Sequence, residues 1–246
     1  RRQRQMCIRD SGSIVALVFL AVAGNEKRAA AGLTRQNWKS AVLIVLAFVG
    51  IYIVRTVVSV AVQGVSDGSG MQYVKEWAAM FKNPMMWLNI AALPINYFFV
   101  FIAFFGEEYG WRYYLQPVLQ KRFGLRAGVI ILGVVWGLWH IPDDLFYYTQ
   151  TSGIQMIFAQ QITCISLGIF FAYAYMKTQN IWVPVCLHYL NNNLIPIISG
   201  TFSADVLENQ TVSWKDLPVA LVLNGLCFGF FLLADVFKKK EVQEEE

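Results

Sequence analysis

A chain of 246 residues that is 57% hydrophobic, 15% aromatic and only 15% charged, with a mean hydropathy of +0.46, is too apolar to be one soluble domain. Its formal net charge of +4 is spread over cations that fall between apolar runs, as in the short cytoplasmic loops of membrane proteins, so it is assigned no nucleic-acid role. The composition predicts an all-α, polytopic transmembrane helical bundle whose partner is the lipid bilayer.

In chain order, Arg1 to Ser11 is a basic run without an initiator Met that resembles translated adapter sequence, and residues 1–11 are set aside as a non-native leader. Ile14 to Ala23 is an apolar run of about ten residues, too short for a bilayer of about 30 Å, and is read as the stump of a truncated first span. After the basic stretch around Lys27, Arg28, Arg35 and Lys39, Ala41 to Val62 reads as a spanning helix, with Arg55 snorkelling or interfacial. Gln63 to Pro84 reads as a glycine-bearing loop with an interfacial helix around Trp77 and Phe81. Met85 to Phe105 is the next span, with Pro94 as a kink, and Tyr113 to Phe123 continues it.

Ala127 to Ile141 is a short span ending in Trp139, His140, Pro142, Asp143 and Asp144. Ile154 to Met176, Ile181 to Ser199 and Leu217 to Phe237 follow, for about seven spans including the stump. Residues 12–240 make one integral membrane domain and 241–246 an acidic tail. Cys164, Cys186 and Cys227 sit in apolar segments without ligand spacing and read as small core residues. Lys and Arg mark the cytoplasmic side, so the basic loops and the Lys238 to Lys240 cluster place the C-terminus in the cytoplasm of a multi-pass cell-membrane protein, with Gly68, Asp143 and Asp205 outside.

Charge at membrane depth is costly, which draws attention to Glu107, Glu108 and Arg112 against a long apolar run. Glu108 and Arg112 are four apart and pair on one helix face, whereas Glu107 points about 100° away. Taken alone, the stretch reads equally well as a helix end at the membrane interface. Measured from Arg122 and Arg126, Glu107 and His140 lie at one level, about 21 to 23 Å along their helices at 1.5 Å per residue. His188 counts as shallower, and Asn192, one turn on, as closer to that level. The chain has two histidines, both in predicted spans. A carboxylate with an imidazole can hold and deprotonate a water, and a second His with an Asn amide can donate to an oxyanion, which together are the parts of an amide hydrolase.

Glu107-Glu108-x-x-x-Arg112, Trp136-x-x-x-His140 and His188-x-x-x-Asn192, in that order on three helices, resemble the EExxxR, FxxxH and HxxxN motifs of the CPBP (Abi) intramembrane proteases, relatives of the type II CAAX prenyl endopeptidase. The resemblance covers about Met85 to Ser199; Trp136 stands where the family has Phe, another large aromatic. It implies an intramembrane endopeptidase in which Glu107 and His140 activate the attacking water, His188 and Asn192 stabilise the oxyanion, and Glu108 and Arg112 support the Glu107 helix; a bacterial source is the expectation. A metal-free mechanism is preferred, with zinc held by Glu107, His140 and His188 as the open alternative. The implied substrate is a peptide or protein, membrane-associated or lipidated, entering from the membrane or the cytoplasm. Two other readings compete: a proton- or ion-coupled transporter, against which the lack of a visible internal repeat counts, and a non-catalytic scaffold or immunity protein. Asp143 and Asp144 also suggest an external metal site, although a Pro142 turn with acidic caps is the preferred account.

Overall fold

The computed structural model describes residues 28–29, 31–66, 71–201 and 203–238. The leader, the Ile14 to Ala23 stump and the acidic tail lie outside the described residues. Among those described, all regular structure is helical, as the composition predicts. In chain order the helices are α1 (Trp38–Ser66), α2 (Met71–Met80), α3 (Pro84–Glu108), a π-helical segment (Tyr109–Leu115), α4 (Gln116–Phe123), α5 (Leu125–Trp139), α6 (Ile141–Phe146), α7 (Gly153–Thr178), α8 (Trp182–Ser199), α9 (Ala204–Glu208) and α10 (Asp216–Cys227). Two 3₁₀ turns, Gly229–Leu233 and Asp235–Phe237, close the described chain.

Local sequence sets the boundaries. Asn83 caps α3 by accepting from the Met85 N–H, and Pro84 occupies the first turn, where its missing N–H costs nothing. Gly124, with φ +88°, makes the turn between α4 and α5, a conformation that favours glycine. Gln179 and Gly200 end α7 and α8 in left-handed conformations. Pro142 and the two acids that follow it fall in the first turn of α6, as the acidic-cap reading expects.

Among the described residues, four helical stretches are long and apolar enough to cross a membrane: Trp38–Val62, Pro84–Phe123, Leu125–Phe146 and Gly153–Thr178. The seven-span reading is thus altered at two described places, α8 and the stretch after α10. Met85 to Phe105 and Tyr113 to Phe123 form one continuous helical stretch, as the sequence reading has it. Helix α8 has spanning length, but His188 and three consecutive asparagines dilute its apolar character. The stretch Leu217 to Phe237 does not hold one helix: α10 stops at Cys227, and the chain goes on in 3₁₀ turns. Phe228 breaks the α-geometry there, with φ −124°, and its ring is fully buried.

Helix α7 is the centre of the bundle. Its Phe170, Phe171, Ala172 and Ala174 are fully buried, as expected of a helix apolar all round and packed on several neighbours. Phe48 and Tyr52 of α1 meet Phe170 and Phe228 in an aromatic cluster, with Phe48 to Phe170 centroids 5.5 Å apart and Tyr52 to Phe228 5.0 Å apart. Helices α5 and α7 approach so closely that a Cβ on Gly133 would lie 2.7 Å from the Ile165 Cα, so any side chain there pushes the two backbones apart. The outer surface is apolar: Phe98 and Phe99 are each 71% exposed and Leu226 equally so, a liability in water and the expected finish toward lipid. Arg55 is half-buried and turned toward α10. Its Nε donates to Asn224 Oδ1 at 2.9 Å, and its guanidinium lies 5.7 Å from the Tyr52 ring centroid, because a buried amide and an aromatic face offer the cation partners inside the bundle. The helix expected around Trp77 is α2, anchored by Trp77 Nε1 donating to the Ile198 carbonyl at 2.9 Å.

Candidate active site

A polar group inside an apolar bundle must find partners there, and the Glu107 stretch meets that demand from three helices. Glu108 and Arg112 are both fully buried. Arg112 Nε lies 3.0 Å from Glu108 Oε2, the i, i+4 pair that the spacing predicts. The other carboxylate oxygen, Oε1, reaches across to α8 and accepts from His188 Nδ1 at 2.8 Å. Glu108 is therefore the joint of an Arg112–Glu108–His188 chain and does more than brace its own helix. The signal for this was the chemistry of a carboxylate, which has two oxygens to satisfy where Arg112 takes one.

The helix changes pitch just past these residues. Tyr109–Leu115 is π-helical, and the Gln116 N–H bonds five residues back to the Trp111 carbonyl. Pro117 supplies the reason, since it has no N–H for the Tyr113 carbonyl and its ring crowds the preceding turn, which the wider π turn relieves. The motif spacing alone does not reveal this.

Trp136 of α5 is the surface on which the motifs meet. Its ring centroid lies 5.1 Å from the Arg112 guanidinium, 5.9 Å from the His140 ring and 5.4 Å from the His188 ring. Phe171 of α7 lies 5.4 Å from the same guanidinium, so the cation is held between two aromatic faces as well as by Glu108. Phe104 packs edge-on with His188, with centroids 5.1 Å apart. His188 was placed shallower than Glu107 by counting residues, yet it touches Glu108. Rise per residue measures distance along each helix's own axis and takes no account of tilt or of where each helix enters the membrane.

The hydrogen bonds fix which ring nitrogens face the site. His140 Nδ1 is 2.8 Å from the Trp136 carbonyl oxygen, which can only accept, so Nδ1 carries the proton and Nε2 is left with its lone pair. His188 Nδ1 donates to the Glu108 carboxylate, which leaves His188 Nε2 to face the site. Glu107 is half-buried and lies within electrostatic reach of both His140 and Arg112. His140 also has the Cys164 thiol 3.9 Å from Nδ1.

Asn192 is the outlying member of the set. It is exposed, and its Oδ1 accepts from Asn191 Nδ2 at 2.8 Å. Its neighbours, at about 100° steps around the helix, face different helices. Asn191 accepts from Tyr52 of α1, and Asn193 accepts from Asn96 of α3 at 3.4 Å. Neither Asn191 nor Tyr52 was singled out by the motif spacing.

Among the described residues no three His, Cys, Asp or Glu side chains come together closely enough to hold a metal ion. As placed, Glu107, His140 and His188 thus do not fit a three-ligand zinc site, and Asp143 and Asp144 do not form one either. Cys164, Cys186 and Cys227 are free thiols, Cys164 buried and the other two half-buried, in keeping with a packing role.

Residues 88–194 match the family model described as type II CAAX prenyl endopeptidase Rce1-like, a range that contains all three motifs. A protein of Methanococcus maripaludis named CAAX prenyl protease 2 is 27% identical over 125 residues, which make up 47% of this chain and 45% of the relative. No solved structure matches.

Proposed function

We propose, from the chain's relation to the CPBP/CAAX protease family over residues 88–194, that it is an intramembrane endopeptidase cutting a peptide bond in a membrane-associated or lipidated peptide or protein. The observation that carries the reading is the meeting of residues from all three motifs at Trp136, where the Arg112 and His188 ends of the Arg112–Glu108–His188 chain lie 5.1 and 5.4 Å from the indole centroid and the His140 ring 5.9 Å from it. Glu107 and His140 Nε2 are the basic groups that draw a proton from the attacking water. His188 faces substrate through Nε2. An imidazolium there would present its second N–H to the oxyanion while Glu108 faces its charge, and the Asn192 amide would supply the other donor. Glu108 and Arg112 touch no reacting atom; they set the His188 ring and the helix that carries Glu107.

The test is a panel of quenched peptides, some lipidated, incubated with the purified full chain with and without a chelator. Cleavage that persists in chelator is the expected result, since the donors as placed do not converge on a metal; loss of cleavage restored by zinc would reinstate Glu107, His140 and His188 as ligands. No cleavage of any peptide would favour the transporter or scaffold alternatives. Basic loops on one face of the membrane also support a cytoplasmic C-terminus in a cell-membrane protein. A reporter fused after Lys240 should then read cytoplasmic and one inserted near Asp205 external; the reverse at both sites would refute that orientation.

A further inference from the structure

The asparagine at the end of the third motif can serve an oxyanion only if its nitrogen, and not its oxygen, faces the substrate. Nothing in the amide itself decides this, since its two ends are nearly the same shape. The decision is made on α1. Tyr52 is 5% exposed, with its ring edge-on to Phe48 at 4.9 Å and tilted against Phe228 at 5.0 Å. Arg55, tied to Asn224, covers the same ring. The hydroxyl that this packing holds in place donates to Asn191 Oδ1 at 2.5 Å. With its oxygen so engaged, Asn191 has Nδ2 on the other side, and that nitrogen donates to Asn192 Oδ1 at 2.8 Å. An amide oxygen accepts and an amide nitrogen donates, whereas a phenol can do either; the buried Tyr52 hydroxyl has no other hydrogen-bond partner among the described residues, so its one proton goes to Asn191 Oδ1.

The geometry points to Tyr52 as a positioning residue that, through Asn191, fixes the amide orientation of Asn192 and so presents Asn192 Nδ2 as a hydrogen-bond donor. The relay joins a helix outside the region of family similarity to the last residue of the third motif. It also gives the first two of three consecutive asparagines separate tasks. The use made of the donor rests on the protease reading; the orientation of the amide does not.

Tyr52→Phe keeps the ring in its aromatic nest and removes only the hydroxyl, so the bundle should stay intact. With the full chain in detergent and its asparagines labelled with ¹⁵N, the Asn191 and Asn192 side-chain amide signals are assigned by their loss in Asn191→Ala and Asn192→Ala. Tyr52→Phe should shift or broaden both signals and leave Asn209, which bonds to Asp205, unmoved. With a quenched peptide that the parent cuts, kcat should fall about three- to tenfold, the order expected for one neutral hydrogen bond, with KM unchanged. In an Asn192→Ala background the same change should cost nothing further. An Asn192 amide signal unmoved by Tyr52→Phe overturns the relay. An equal fall in kcat with and without Asn192 also overturns it, since the hydroxyl would then act by another route. If the parent cuts no peptide while Tyr52→Phe still moves both amide signals, the relay stands and the protease reading falls.

Discussion

Glu107→Gln is expected to abolish peptide cleavage while leaving the protein folded. The amide matches the carboxylate in size and shape, so the helix and the neighbouring Arg112–Glu108–His188 chain are undisturbed, but it cannot take a proton from water. General base catalysis alone contributes about 10²- to 10⁴-fold, and the loss should be at least of that order. His140→Ala should be as severe, because Nε2 is the His140 nitrogen left to share the water once Nδ1 is committed to the Trp136 carbonyl. The double variant should be no worse than either single one, since groups acting on one water are not additive. Asn192→Ala should cost about 2.7 to 4 kcal/mol of transition-state stabilisation if it is one oxyanion donor among several. Single-turnover rates on one quenched peptide across the four variants check the whole pattern, and near-normal cleavage by Glu107→Gln would end the assignment.

The largest effect on stability should come from Arg112→Ala. Arg112 and Glu108 are both fully buried, and removing the cation leaves the Glu108 carboxylate with His188 alone in a low-dielectric site. Breaking one side of a buried pair costs about 3 to 5 kcal/mol, and here the contacts with Trp136 and Phe171 are lost as well. Thermal melting of detergent-purified variants should show Arg112→Ala far below the parent and Glu107→Gln close to it. A second variant separates charge from shape. Glu108→Gln with Arg112→Met removes both charges and keeps bulk, so it should recover much of the lost stability. It should not recover cleavage, because a neutral amide no longer faces the His188 ring as a carboxylate does. Equal melting of Arg112→Ala and Glu107→Gln would refute the supporting role of the pair.

Composition alone determined the class of this protein. With 57% hydrophobic residues, no arrangement of the chain can keep its apolar surface from water in a single soluble domain, and the backbone in lipid must then close its hydrogen bonds within helices. The run from Met85 to Ser199 also gave away the motif residues, because charge and imidazole in apolar helices are rare enough to stand out and because Glu108 and Arg112 share a helix face by periodicity. What lay beyond the sequence were the contacts made between helices. The bond from Glu108 to His188 joins residues 80 positions apart, and the sense in which Tyr52 and Asn191 turn Asn192 depends on α1 packing beside α8. The π turn after Glu108 and the break at Phe228 were hidden too, since periodicity assumes a uniform α-helix that Pro117 and a buried ring override locally. Residue counting gave His188 the wrong depth because it measures position along one axis, and only the packing of tilted helices decides which side chains meet.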